Sequence, residues 1–251
     1  MVIATGWYNS FMEFAKAQQY KARVAEKYYL SDSQKFLLVH LEFTTPTRME
    51  FAAGQYVSIK VNEKGERRSY SMVSTPDMIH GITLVVEMVE NGVGATFLRD
   101  IPIGGELEIL GPLGRFVVES DQKLLFVATG AGITPIKSMI EDLLLNKEET
   151  RPMRLHWGMH SEDDIFWFDN FLRLSEAHPN FVFDQVLSKP SANWQLCVGH
   201  VQDCLERDFS PGELKNWEAY ACGNPKTVES IEEKLVELGM AKEKVHHEKF
   251  T

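Results

Sequence analysis

Three short clusters in this 251-residue chain combine residue types that could grip a nucleotide cofactor. The first is Gly130-Ala131-Gly132-Ile133-Thr134-Pro135, which follows an apolar run at 124–128. Two glycines let the backbone approach a pyrophosphate, and a helix beginning near Pro135 aims its N-terminal amides at the negative charge. Pro135 stands where a third glycine is usual, and the first turn of a helix accepts it because no N–H is needed there. A tight strand-to-helix turn without a ligand would use the same glycines, but the flanking strand and helix favour dinucleotide binding. The second cluster is Arg68-Ser69-Tyr70-Ser71. On a strand, Arg68 and Tyr70 share one face and Ser71 takes the other. Cation and aromatic side by side could hold a phosphate and stack on a flat ring, or could merely decorate a barrel. The third, Cys222-Gly223-Asn224-Pro225, ends a predicted strand. Ligands of open α/β sheets bind beyond the carboxyl ends of the strands, although a lone cysteine there is otherwise a small core residue.

The elements that must position these clusters fall into two groups. From about Tyr20 to Val118, short β-rich runs alternate with turn signals, at 28–30, 36–43, 56–61, 69–73, 82–89 and 106–110. Such spacing predicts a small antiparallel barrel or sandwich. From Lys123 onward, strands at 124–128, 153–157, 181–187, 219–222 and 245–250 alternate with helices at 135–145, 164–177, 201–207 and 226–238. That alternation predicts a parallel sheet with right-handed crossovers. The expected organisation is an N-terminal extension over 1–19, a barrel over 20–118 and an α/β domain over 119–251. In the extension, Trp7, Phe11, Phe14 and Ala15 would share one face of a short amphipathic helix, to pack within the chain or meet a partner.

Composition narrows the function classes. A formal charge of −10 argues against nucleic acid, which needs clustered Lys and Arg, but leaves room for a local basic patch that steers an acidic redox partner. No apolar run approaches the roughly 18 residues of a membrane span, and the first twenty residues do not read as a signal peptide. Cys197, Cys204 and Cys222 are too few and too irregularly spaced for a disulfide framework or an iron–sulfur cluster, so a reducing cytoplasm is expected. No metal site is expected from the histidines either. His156 and His160 stand four apart on a predicted strand, a spacing of about 13 Å, and His246 and His247 point to opposite faces of the last strand.

Taken together and in order, these segments resemble the ferredoxin–NADP reductase superfamily over nearly the whole chain after Tyr20. The family's Arg-x-Tyr-Ser pattern is met by Arg68, Tyr70 and Ser71, and its Gly-x-Gly-x-x-Pro turn by Gly130, Gly132 and Pro135. Its Cys-Gly-x-Pro element is met by Cys222, Gly223 and Pro225, and its C-terminal Glu-x-aromatic by Glu248 and Phe250. The resemblance implies a flavin-binding antiparallel Greek-key barrel followed by a Rossmann-like α/β domain, with FAD and NADH or NADPH as cofactors. It implies that Arg68 holds the flavin pyrophosphate, with Ser69 alongside, that Tyr70 lies against the flavin ring, and that Ser71 hydrogen-bonds near N5. Gly92, Gly94, Ala95 and Thr96 resemble a second flavin-phosphate element, with Ala95 where the family often has serine. Gly130, Gly132, Thr134 and Pro135 would receive the dinucleotide, and Cys222, Gly223, Asn224 and Pro225 would shape the nicotinamide pocket. Phe250 would cover the flavin face and move aside for hydride transfer, and Glu248 is either a proton carrier or a surface carboxylate.

For the coenzyme, the two sets of residues oppose each other. His160-Ser161-Glu162-Asp163-Asp164 would repel a 2′-phosphate, whereas Ser188-Lys189 resembles a Ser-Arg pair that holds one; His200 adds little charge. The balance leans to NADH. The expected activity is that of an NAD(P)H-dependent flavoprotein reductase that serves a separate ferredoxin, flavodoxin or oxygenase component. The alternatives are an electron-transfer subunit active only in a larger complex and a reductase of small acceptors such as free flavin or quinone.

Overall fold

The computed structural model describes residues 14–250. The helix expected over 7–17 lies largely outside the described residues, and 14–17 form no regular element. The first sheet comprises β1 (Gln18–Tyr29), β2 (Phe36–Thr45), β3 (Tyr56–Lys60), β4 (Arg67–Ser71), β5 (Gly81–Glu87) and β6 (Glu106–Leu113). Their order is β4-β3-β6-β1-β2-β5, with every pair antiparallel. The sheet curls until its edges meet: Met72 bridges to Leu84, and the Val73 amide donates to Thr83 O at 2.9 Å. Period-two patterning fills this barrel, with Tyr20, Ala22 and Val24 of β1 turned inward beside Val39 and Leu41 of β2. β1 starts ten residues earlier than the expected run at 28–30, because Lys21 and Arg23 on its solvent face dilute the apolar signal. Helix α1 (Val93–Asp100) buries Ala95 and Leu98 against the barrel core.

The second sheet is parallel, in the order β10-β9-β8-β7-β11-β12. It is built from β7 (Lys123–Thr129), β8 (Met153–Met159), β9 (Phe181–Leu187), β10 (Cys197–Val198), β11 (Trp217–Gly223) and β12 (Val245–Lys249). Helices α2 (Ile133–Glu141), α3 (Phe168–Ala177), α4 (Val201–Asp208) and α5 (Pro225–Glu237) supply the crossovers. β7 is buried on both faces, Leu124, Phe126 and Ala128 facing one core and Leu125 and Val127 another, as a central parallel strand requires. The chain winds from β7 out to β10, then returns to place β11 on the other side of β7. That reversal is where an open α/β sheet leaves a crevice at its carboxyl edge. Phe36, Ala53, Val85 and Phe116 from the barrel side join the α2 core, so the two sheets share packing.

Two expectations are corrected, and one strand carried no expectation. The helix expected from Asp164 begins at Phe168, because Asp164 ends a short 3-10 turn and Trp167 adopts a left-handed φ of 57°. The two-residue strand β10 is too short to show any periodicity. Cys197 and Cys204 are joined in a disulfide, their Cα atoms 6.7 Å apart. β10 runs almost at once into α4, which folds the second cysteine back over the first, so their uneven spacing was no bar to pairing.

Candidate active site

The carboxyl edge of the parallel sheet faces the barrel across a cleft of ≈ 980 Å³. Two glycine-rich helix starts open onto it. On the barrel side, Gly92 precedes α1, whose first turn has no side-chain cap. A Cβ at Gly94 would lie 2.2 Å from the Tyr70 hydroxyl and 2.9 Å from Arg68 Cγ. Only glycine therefore lets β4 pack directly over α1, which brings the first-turn amides beside the Arg68 and Tyr70 face. On the sheet side, Gly130–Gly132 form a 3-10 turn into α2, again without a side-chain cap. A Cβ at Gly132 would sit 2.2 Å from Cys222 O, and one at Gly223 would sit 2.1 Å from Thr129 Oγ1. β7 and β11 therefore meet at their carboxyl ends with room for backbone only.

Arg68, Ser69, Tyr70, Ser71, Gly92, Gly94, Ala95, Gly130, Gly132, Thr134, Ser188, Gly223, Asn224, Glu248 and Phe250 all line the cleft. Thr96, Pro135, Lys189, Cys222 and Pro225 lie outside its lining. Two of the lining polar side chains are already engaged. Thr134 Oγ1 donates to Ala131 O at 2.9 Å, and Asn224 Oδ1 accepts from the Thr227 amide at 3.0 Å as the cap of α5. Cys222 is fully buried behind the Gly132–Gly223 contact, and burial pushes its thiol well above the usual range, aided by the charge of Glu248.

The densest chemistry lies where β4 meets β12. Ser71 Oγ donates to Glu248 Oε1 at 2.8 Å, joining residues from the two sheets. Burial raises the Glu248 carboxyl above its ordinary range, and the Ser71 hydrogen bond offsets only part of that rise. Glu248 is half-buried and lies beside Cys222 in the β11–β12 ladder, and the Phe250 amide continues the ladder by donating to Gly223 O at 2.9 Å. Tyr70 is pushed up to about 12, chiefly by burial, against the opposing charge of Arg68. Its ring is thus a neutral, partly desolvated surface at pH 7.

The other end of the cleft, beyond β8 and β9, is more exposed. His160 Nδ1 and Ser188 Oγ are 3.0 Å apart, and Glu162 accepts from the Ser191 amide at 3.0 Å and from its hydroxyl at 2.6 Å. Those bonds hold the Glu162 carboxyl below its ordinary range. The loop 199–202 at the start of α4 completes this wall.

Residues without a sequence signal also shape the cleft, two in its lining and one beneath it. Lys35 and Glu87 face each other at 3.6 Å from the ends of β2 and β5. Trp157 Nε1 donates to Gly130 O at 3.1 Å, steadying the glycine turn from beneath. Nothing near Lys35 or Glu87 forms a motif; only the alternation of the strands could have marked them as flanking an end.

Outside the cleft, His156 is fully buried with both ring nitrogens unpartnered, its Nε2 3.9 Å from a carboxylate oxygen of Asp184 and of Asp208. Arg154 already bridges those two carboxylates at 2.7 Å each. Desolvation lowers the His156 imidazole to about 4, outweighing the two acids.

Comparison with known proteins agrees with this architecture. Residues 21–118 match the oxidoreductase FAD-binding domain family and residues 126–233 the oxidoreductase NAD-binding domain family. The chain is 30% identical over 215 residues to the CDP-6-deoxy-L-threo-D-glycero-4-hexulose-3-dehydrase reductase of Yersinia pestis, covering 85% of this chain and 64% of that protein. It is 29% identical over 238 residues to the phenol hydroxylase P5 protein of Acinetobacter pittii, covering 93% and 66%. The chain thus spans a little under two thirds of the length of these relatives. Among solved structures, the Amycolatopsis cytochrome P450 reductase GcoB superposes with a TM-score of 0.85 at 27% identity, over 94% of this chain and 70% of that one. The chain belongs to the ferredoxin–NADP reductase superfamily, an FAD-binding barrel followed by an NAD-binding α/β domain.

Proposed function

We propose that this protein is an NAD(P)H-dependent flavoprotein reductase that passes electrons to a separate ferredoxin, flavodoxin or oxygenase component. The observation that carries this reading is the Ser71–Glu248 hydrogen bond, which sets a carboxyl and a hydroxyl together in the cleft where the two sheets meet. Bound FAD supplies chemistry that side chains lack, accepting a two-electron hydride and releasing single electrons. The residues fit that group. The uncapped start of α1, with Arg68 above it, offers amides and a cation to a pyrophosphate. Tyr70 and Phe250 offer apolar ring surface along the same cleft. The start of α2 would receive the dinucleotide pyrophosphate, and the Gly132–Gly223 contact keeps that floor free of side chains.

In this reading Ser71 Oγ would lie toward the reacting end of the flavin, while Glu248 Oε1 accepts the Ser71 hydrogen bond and holds the hydroxyl in orientation. Because the Glu248 carboxyl is raised, it can exchange a proton nearer neutrality than an exposed glutamate, and both it and Ser71 line the cleft. Cys222, buried and neutral, acts as packing beneath the pocket and brings no charge to it. Lys189 lies outside the lining, which removes one cation from a would-be 2′-phosphate site and favours NADH. The chain's likeness to a dehydrase reductase and to a phenol hydroxylase P5 protein favours a separate enzyme component as the electron acceptor. We place the domain boundary at 118/119, inside the strand-free stretch 114–122. Among the described residues no helix is long and apolar enough to cross a membrane, and we place the protein in the cytoplasm.

The test is the visible spectrum of the purified chain under anaerobic conditions, before and after NADH and NADPH are added separately. The expected result is flavin absorbance near about 450 nm that NADH bleaches faster than NADPH. A protein that stays colourless after incubation with FAD would overturn the proposal.

A further inference from the structure

A cysteine pair brackets the exposed wall of the cleft. Cys197 lies in the two-residue strand β10 and Cys204 in the first turns of α4, seven residues on, and a disulfide joins them. Between them, Gly199, His200, Val201 and Gln202 line the cleft. Gly199 turns at φ 116° and its amide donates to Leu187 O at 2.9 Å, which hangs the start of the wall from β9. Both cysteines are buried, Cys204 at 1% exposure and Cys197 at 7%, so Cys197 is the nearer of the two to solvent. Arg207, one turn beyond Cys204, reaches back until Nη1 is 3.2 Å from Cys197 Sγ. Asp208 Oδ1 accepts from its Nε at 2.9 Å and holds it in place. A guanidinium there sets positive charge where a reacting sulfur carries negative charge.

We propose that Cys197 and Cys204 form a reversible oxidation site for peroxide, and that their disulfide holds the wall 199–202 in the shape that accepts the dinucleotide. The Cys197 thiolate attacks one oxygen of hydrogen peroxide, the O–O bond breaks, and the departing hydroxide takes up the thiol proton as water. Cys204 sulfur then attacks the resulting sulfenic acid, forms the S–S bond and expels the second oxygen as water. Two thiols lose two electrons and two protons, and one peroxide becomes two waters. A small dithiol reverses the step by exchange, supplying the two electrons and leaving as its own disulfide. Oxidised, the pair ties the start of α4 to β10 and pre-organises the wall. Reduced, the wall keeps only the Gly199–Leu187 bond, the His200–Asp203 cap and the burial of Val201 to hold its shape. Single reversible disulfides beside a functional surface are the form that cysteine pairing takes in reducing compartments.

The inference rests on reading the cleft as the dinucleotide site. The test treats the FAD-loaded full chain with hydrogen peroxide and then with dithiothreitol. Three quantities are read: alkylation of each cysteine by peptide mass, amide hydrogen exchange across 198–204, and KM for NADH. Reduction is expected to speed exchange in that segment and raise KM by about fivefold, with kcat changed by less than about twofold. The C197S/C204S double variant should respond to neither reagent, and Arg207→Gln should slow oxidation several-fold. Two free thiols after peroxide, or a disulfide that leaves exchange across 198–204 unchanged, would overturn the proposal. Absence of NADH turnover in both redox states would count against the reductase reading instead, because the thiol map and the exchange are measured without dinucleotide.

Discussion

Where β4 meets β12, the cleft is walled by buried groups that touch across 177 residues of sequence, Ser71 donating to Glu248 from the opposite sheet. Where β8, β9 and α4 meet, the wall is more exposed: His160 and Ser188 of the lining bond to each other, and Glu162 bonds to Ser191 in the adjoining loops. In the proposed reading the first end carries the chemistry and the second tells the dinucleotides apart. Chemistry needs desolvated, pre-set groups whose protonation the fold can shift. Discrimination between dinucleotides needs charge at a wet surface, where each interaction is weak.

The steepest effects belong to the backbone contacts beneath the first region. Gly132→Ala places a methyl 2.2 Å from Cys222 O, with backbone on both sides and nothing able to swing away. We expect a loss of about 3 kcal/mol in urea unfolding. Gly130→Ala is the control: its Cβ would meet only Glu87 Oε2 at 3.8 Å, so the cost is that of φ 54°, about 1 kcal/mol. Equal losses for the two would mean that conformation, not close approach, makes these glycines necessary.

His156, beneath α4 and far from the junction, governs acid stability. Its imidazole titrates near 6.5 in the unfolded chain and at about 4 in the fold, so the unfolded state binds the extra proton between those values. Stability is therefore full above about pH 6.5 and lost as pH falls through 4, by up to about 3 kcal/mol. Urea midpoints measured from pH 7.5 to 4 should show this slope, and His156→Asn should flatten it. An unchanged slope in the variant would assign the acid sensitivity to other groups.

At the junction itself, Ser71→Ala should lower kcat about a hundredfold while leaving flavin content intact. Glu248→Gln sharpens the point through pH. The raised carboxyl holds its proton more firmly in the fold than in the unfolded chain. Its contribution to stability is present below the ordinary carboxyl range and lost as pH rises through the raised value. The glutamine variant should therefore match or exceed the parent in thermal stability at pH 7 while losing turnover. A variant that is both less stable and slower would mark Glu248 as structural.

The smallest effect is expected at the exposed wall. Glu162→Gln should change the ratio of kcat/KM values for NADH and NADPH by no more than about threefold, and high salt should erase the change. A tenfold or larger change would show that this end discriminates by direct contact.

Much of the site was legible because glycine and proline report on backbone geometry that no other residue accepts. Gly94, Gly132 and Gly223 stand where a Cβ would collide, and Pro135 sits in the first turn of α2. Alternation in β4 likewise puts Tyr70 and Ser71 on opposite faces. The short strand β10, the cysteine pairing and the Lys35–Glu87 pair carried no such mark. Each depends on where two distant segments come to rest, and residue types alone leave that open.

By itself, the sequence determined the two kinds of sheet, the two glycine turns and the residues that flank them, because periodicity and backbone sterics are local properties. The tertiary structure alone decided that Ser71 meets Glu248, that Cys222 faces a core instead of the cleft, and that Lys189 falls outside the lining. Those outcomes turn on how the barrel and the parallel sheet pack against each other. Burial and charge at the junction are set by neighbours more than a hundred residues away, and with them the raised carboxyl of Glu248.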